Sequence, residues 1–164
     1  MAKLPFSKLN LSKDVVKTNE IEWNEQTITV KSYLPVEEKF NFIEAVLGQA
    51  ADKNNFLNPL KVKIFFTIEI INFYTNITFT EKQKEDPQKL YDLICGNGLF
   101  DAIIKLIPEK EYNDIWLNVL DTGDSIYKYR NSVMGILENI VSDYSGLDLD
   151  ASNIQKKLSD PNNI

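Results

Sequence analysis

The sequence predicts a mainly α fold: a small N-terminal β-hairpin followed by a compact helical domain with a long C-terminal helix. Three observations carry this expectation. Proline recurs where helices start, at Pro35, Pro59, Pro87 and Pro108, a position that suits its fixed φ and missing N–H. Alternation with convincing strand chemistry is confined to residues 20–33. A stripe of apolar residues at three- and four-residue steps runs from Tyr112 to Tyr144.

The opening segment, residues 1–18, is polar with isolated apolar positions and reads as an arm that is mobile or docks on something else. Ile21 and Trp23, then Ile28, Val30 and Tyr33, alternate as strands do, with Asn24-Glu25-Gln26 as the turn between them. A helix over Pro35–Ala51 follows, with Glu37 and Glu38 at the positive end of its dipole and Phe40, Ile43, Val46 and Leu47 as its apolar face.

Residues 59–75 fit two periods. Val62, Ile64, Phe66, Ile68 and Ile70 alternate like a strand, while Ile64, Ile68, Ile71 and Tyr74 fit a helix. The Asn58-Pro59 start and the length favour a buried helix as the central element. Thr80-Glu81-Lys82-Gln83 matches a capping box, Asp86-Pro87 opens a further helix, and Gly96-Asn97-Gly98 stops it, giving short helices at 87–95 and 98–106. The stripe that opens at Pro108 implies about nine turns of helix. Asp121-Thr122-Gly123-Asp124 predicts a kink or break within it, because glycine costs roughly 1 kcal/mol in a helix interior. Ser145-Gly146 ends the pattern, Asp150 caps a short segment over 151–158, and residues 159–164 form a fraying tail. The organisation expected is one hairpin-plus-helical domain over 19–158.

What the chain lacks bounds its function. It has no histidine, one cysteine (Cys95), one arginine (Arg130) and no glycine-rich phosphate loop. Absent histidine removes many triads, most zinc sites and most proton shuttles at once. Net charge is −6, and the imbalance lies in the second half: residues 81–164 carry fifteen Asp/Glu against nine Lys/Arg, whereas residues 1–80 carry nine of each sign. An acidic balance disfavours nonspecific nucleic-acid binding. One cysteine cannot form an intramolecular disulfide, residues 1–14 contain no continuous apolar run, and the stretch Val62–Tyr74 is too short and interrupted to span a bilayer. The expectation is a cytoplasmic protein that binds neither membrane nor nucleic acid.

Local motifs that resemble catalytic or metal sites have simpler readings. Ser125-Ile126-Tyr127-Lys128 fits S-x-x-K, but no S-D-N or K-T-G companion exists and the segment belongs to an amphipathic helix. Asp148-Leu149-Asp150-Ala151-Ser152 begins like an EF-hand loop and then fails, with Asn153 at the glycine position and Ser159 at the bidentate glutamate position. Glu109, Glu111 and Asp114 cluster at a helix start, where the dipole attracts acidic residues anyway. The reading is a non-enzymatic chain that needs no metal or cofactor. Arg130 falls on the apolar stripe and is either half of an internal ion pair or an anchor for a partner's carboxylate. The candidate interface residues are Leu4, Phe6, Leu9 and Leu11 of the arm, Trp23, Trp116, Tyr127, Tyr129 and Arg130.

Three stretches carry a family resemblance: Glu20–Asn24, Thr27–Lys31 and Tyr33–Lys39; Tyr74–Thr80; and Tyr129–Gly135. Across residues 15–160 the chain resembles a group of small proteins encoded by tailed phages and prophages of low-GC Gram-positive bacteria. A short hairpin leading into helices is also similar to phage tail-assembly chaperones, which coat the tape-measure protein while the tail tube forms. The resemblance implies a virion or morphogenesis role in the host cytoplasm or the virion, with other phage structural proteins or a second copy as partners. It carries no catalytic residue. Two readings stand beside it: a phage-encoded inhibitor that binds a host defence protein, and an enzyme working through carboxylates alone.

Overall fold

A computed structural model of the chain describes residues 3–52, 56–133 and 135–137. These fall in two units, Met1–Gly123 and Asp124–Ile164. The architecture is mainly α. After a short 3₁₀ helix at Phe6–Leu9 come β1 (Thr18–Trp23) and β2 (Gln26–Lys31), then α1 (Val36–Ala50), α2 (Pro59–Tyr74), α3 (Glu81–Lys84), α4 (Pro87–Gly96), α5 (Leu99–Ile104) and α6 (Glu109–Arg130).

The hairpin closes on a two-residue turn. Asn24 and Glu25 both adopt positive φ, 48° and 65°, as the tight turn that matches strand twist requires. Antiparallel pairing sets Asn19 against Val30, Ile21 against Ile28 and Trp23 against Gln26. Ile28 and Val30 are buried, while Ile21 and Trp23 pack on the core at its margin. The outer edge of β2 is covered where α2 ends. Val30 bridges to Thr75, Asn76 N donates to Thr29 O (3.3 Å), and the Asn76 side chain accepts from Thr29 N (3.1 Å) and donates to Thr27 O (3.2 Å).

Residues 59–75, where two periods competed, are the helix α2. The decision is local at its start: Asn58 Oδ1 accepts from Leu60 N (2.9 Å) and Lys61 N (3.3 Å), and Pro59 takes the first helical position. The strand-like alternation arises because α2 is buried on nearly every side, with Val62, Ile64, Phe66, Ile68, Ile70, Ile71 and Tyr74 all in the core. Glu69 is also buried, and its carboxylate accepts from Gln49 Nε2 (2.8 Å) and Asn72 Nδ2 (2.9 Å).

Two expectations need correction. In α1 the buried aromatic residue is Phe42, and Phe40 is 68% exposed. Phe42 meets Phe66, Phe73 and Tyr74 edge-on at centroid distances of 5.4, 5.5 and 6.4 Å, so the inward face is the one through Phe42, Val46 and Ala50. Of the kink or break expected at Asp121–Asp124, the break is absent: α6 is helical throughout Glu109–Arg130. Gly123 is buried, and a Cβ there would meet Leu57 Cδ1 at 3.1 Å and Leu47 Cδ2 at 3.6 Å. This glycine lets α6 approach its neighbours closely.

In the second unit the interruption comes at Asn131–Ser132. Asn131 Nδ2 and N both donate to Tyr127 O, Ser132 Oγ donates to Tyr129 O, and helix resumes at Val133 with Gly135 N donating to Ser132 Oγ. A side chain at Gly135 would collide with Tyr129 O and lie 2.8 Å from Arg130 Cα, so the turn excludes larger residues. The segment 151–158, the tail 159–164, the Asp148–Ser152 motif and the stripe beyond Leu137 lie outside the described residues.

Candidate protein-binding surface

The arm is built from polar residues that carry widely spaced apolar side chains. Pro5 opens the 3₁₀ helix, with Lys8 N donating to Pro5 O (3.0 Å), and Asn10 ends it in the left-handed conformation at φ 48°. A single turn with no buried residue cannot stabilise itself, since nucleating helix costs more than one hydrogen bond returns. Leu4 is 67% and Phe6 75% exposed, and Leu9, Leu11 and Val15 are also exposed. Isolated exposed apolar residues are ordinary on protein surfaces, but five large ones within twelve residues are a concentration.

The other candidate residues divide. Trp23 and Trp116 are half-buried and belong to the core margin. Trp116 stands edge-on to Phe66 with centroids 4.7 Å apart, and Tyr112 meets the same ring at 5.8 Å. In the second unit, Tyr127 and Tyr129 are exposed and Arg130 is half-buried. Arg130 and Tyr129 both have interaction partners within the chain. The structure therefore places Leu4, Phe6, Leu9, Leu11, Tyr127 and Tyr129 at the surface and assigns both tryptophans a packing role.

The acidic trio at the start of α6 does not converge. Glu109 and Asp114 face solvent, whereas Glu111 is buried and holds three elements together. Its Oε1 accepts from Leu34 N and from the Tyr74 hydroxyl, each at 3.0 Å, and its Oε2 accepts from Lys39 Nζ at 2.7 Å. Lys39 also lies over the Tyr33 ring, 4.5 Å from its centroid. Burial, reinforced by the Glu111 charge and hydrogen bond, pushes the Tyr74 phenol far above its ordinary range. Both Glu111 oxygens are engaged by the protein, so the group acts as a structural clamp. Sequence reasoning placed Glu111 with its acidic neighbours. The signal for its burial was its register with Ile115, Val119 and Gly123, four residues apart on one helix face.

A shallow concavity of about 470 Å³ beside the α5–α6 turn is lined by Ile104, Leu106, Ile107, Pro108 and Tyr112, with Lys105 and Glu109 also contributing. Burial raises the Tyr112 phenol, and Asn19 Nδ2 donates to Leu106 O (3.2 Å). Its lining supplies no nucleophile paired with a base. Among the described residues, no group of three or more Cys, Asp and Glu is placed to hold a metal ion, and no helix is long and apolar enough to cross a membrane. Ser125 and Lys128 of the S-x-x-K motif lie on the exposed part of α6. No protein-family profile, curated protein or solved structure matches this chain.

Proposed function

We propose that this chain is a non-enzymatic protein that works by binding other proteins, in the manner of a phage tail-assembly chaperone or virion accessory protein. The observation that carries the binding role is the arm: Leu4, Phe6, Leu9, Leu11 and Val15 are exposed on a segment whose regular structure, among the described residues before β1, is one 3₁₀ turn. Such a segment gains more from ordering against a partner than from ordering in isolation, because a partner supplies the apolar contact that offsets the entropy of fixing it. The exposed Tyr127 and Tyr129 add residue types that dominate interface energetics.

The phage assignment rests on the sequence resemblance described above, and the site of action it implies is the host cytoplasm or the virion. The experiment is pairwise: the full chain is mixed with itself and with the products of its neighbouring genes, a tape-measure or tube protein above all. Complex formation is read by size-exclusion chromatography with light scattering. An arm-dependent complex with a structural protein supports the assignment, and a chain that binds only a host defence enzyme moves it to the inhibitor class.

A further inference from the structure

The hairpin has one closed edge and one open one. Ser32 N donates to Lys17 O at 2.7 Å, which fixes the alternation along the ladder: residues 19, 21 and 23 bond to β2, and the backbone groups of Thr18, Glu20 and Glu22 point away from it. On the β2 side the equivalent outward groups of Thr27 and Thr29 are taken by Asn76. On the β1 side, the described residues provide no hydrogen bond to the backbone of Thr18, Glu20 or Glu22. A two-stranded ribbon with a free edge gains stability from a third strand.

The edge also carries a chemical signature. Thr18, Glu20 and Glu22 share the solvent face, and neither glutamate forms an ion pair among the described residues; Glu22 accepts only from the Thr27 hydroxyl, at 2.8 Å. The opposite face carries Ile21 and Trp23, half-buried at the core margin, beyond Asn19, whose Nδ2 donates to Leu106 O. We propose that β1 accepts an antiparallel strand from a partner protein whose segment alternates basic and apolar residues, the basic side chains opposite Glu20 and Glu22 and the apolar ones extending the face of Ile21 and Trp23. A second copy of β1 is a poorer occupant, because the antiparallel register that pairs Thr18, Glu20 and Glu22 of two β1 strands in full sets Glu20 against Glu20. This rests on the protein-binding reading and deepens it by naming the partner's chemistry at the β1 edge, which lies beyond the exposed apolar residues Leu4 to Val15 in the chain.

The test uses the full chain and a short labelled peptide alternating lysine and valine, with binding followed by fluorescence anisotropy at low salt. Three comparisons decide it. N-methylating each lysine, which removes the N–H groups that reach β1 and keeps the charge, abolishes binding. The double substitution Glu20→Lys with Glu22→Lys weakens binding by about tenfold or more and transfers it to a peptide alternating glutamate and valine, its circular dichroism unchanged. Removing residues 1–16 leaves peptide affinity unaltered. The proposal is overturned if the parent peptide does not bind, if the N-methylated peptide binds equally well, or if charge reversal changes nothing. Because the arm is present throughout the first two comparisons, those failures leave the arm's role untouched.

Discussion

Lys39 Nζ lies 2.7 Å from Glu111 Oε2 although 72 residues separate them in sequence, and both side chains are largely withdrawn from water. The pair ties the first turn of α1 to the first turn of α6, and Tyr74 and Leu34 complete the clamp. Removing one partner strands the other. We predict that Lys39→Met destabilises the fold by about 3 kcal/mol and Glu111→Gln by a similar amount, while the double variant costs clearly less than their sum. Urea unfolding of the four proteins of the cycle measures it.

Tyr74 should make the protein sensitive to alkali. Its folded-state pKa is raised well above the ordinary tyrosine value of 10.0, first by burial and then by Glu111. Below about pH 10 this stabilisation is fully present. As pH rises further, the unfolded chain releases the proton that the folded chain retains, and stability falls. Tyr74→Phe removes this contribution, so melting temperature should decline less steeply above pH 10 in the variant than in the parent. Equal slopes would show that Tyr74 does not govern the effect.

Phe40 and Phe42 separate two readings of the same helix. Phe42 is fully buried among three aromatic rings and Phe40 is mostly in water, so Phe42→Ala should cost about 3–5 kcal/mol and Phe40→Ala within about 0.5 kcal/mol. The apolar pattern of α1 contains both phenylalanines, and periodicity alone chose the wrong one. The face is set by Val46 and Ala50, one and two turns beyond Phe42, and alanine is a weak hydrophobic marker in a sequence.

Gly123 should tolerate alanine and reject bulk. Alanine adds helix propensity worth about 1 kcal/mol, and its Cβ meets the ends of two side chains, Leu57 at 3.1 Å and Leu47 at an ordinary 3.6 Å, so the net change should stay within about 1 kcal/mol. Gly123→Val overfills the contact with Leu47 and Leu57 and should cost about 1–3 kcal/mol. Thermal melts of the two variants check both.

Local chemistry that can be read within a few residues translated well from sequence to structure. The Asn58-Pro59 start, the Thr80–Gln83 capping box and the Asp86-Pro87 start all form as their residue types require. Features that depend on a distant neighbour did not. Gly123 reads as a helix breaker until Leu47 and Leu57 are placed against it, and Glu111 reads as a dipole-satisfying acid until Lys39 and Tyr74 reach it. The free edge of β1 was equally hidden, because it is defined by which strand Asn76 covers. The arm was the most legible part of the candidate surface: sparse apolar residues without a repeating face cannot bury themselves.

The central claim, that the arm is a docking segment, is tested most directly by deleting residues 1–16. The cut spares Lys17, whose carbonyl accepts from Ser32 N, so the hairpin keeps its last ladder bond. Association with itself and with the products of its neighbouring genes is compared for the full and shortened chains by light scattering, with circular dichroism and melting temperature as controls. We predict an unchanged helical spectrum, a melting temperature close to the parent's and loss of the complex. A shortened chain that still forms the same complex, or one that unfolds, contradicts the account.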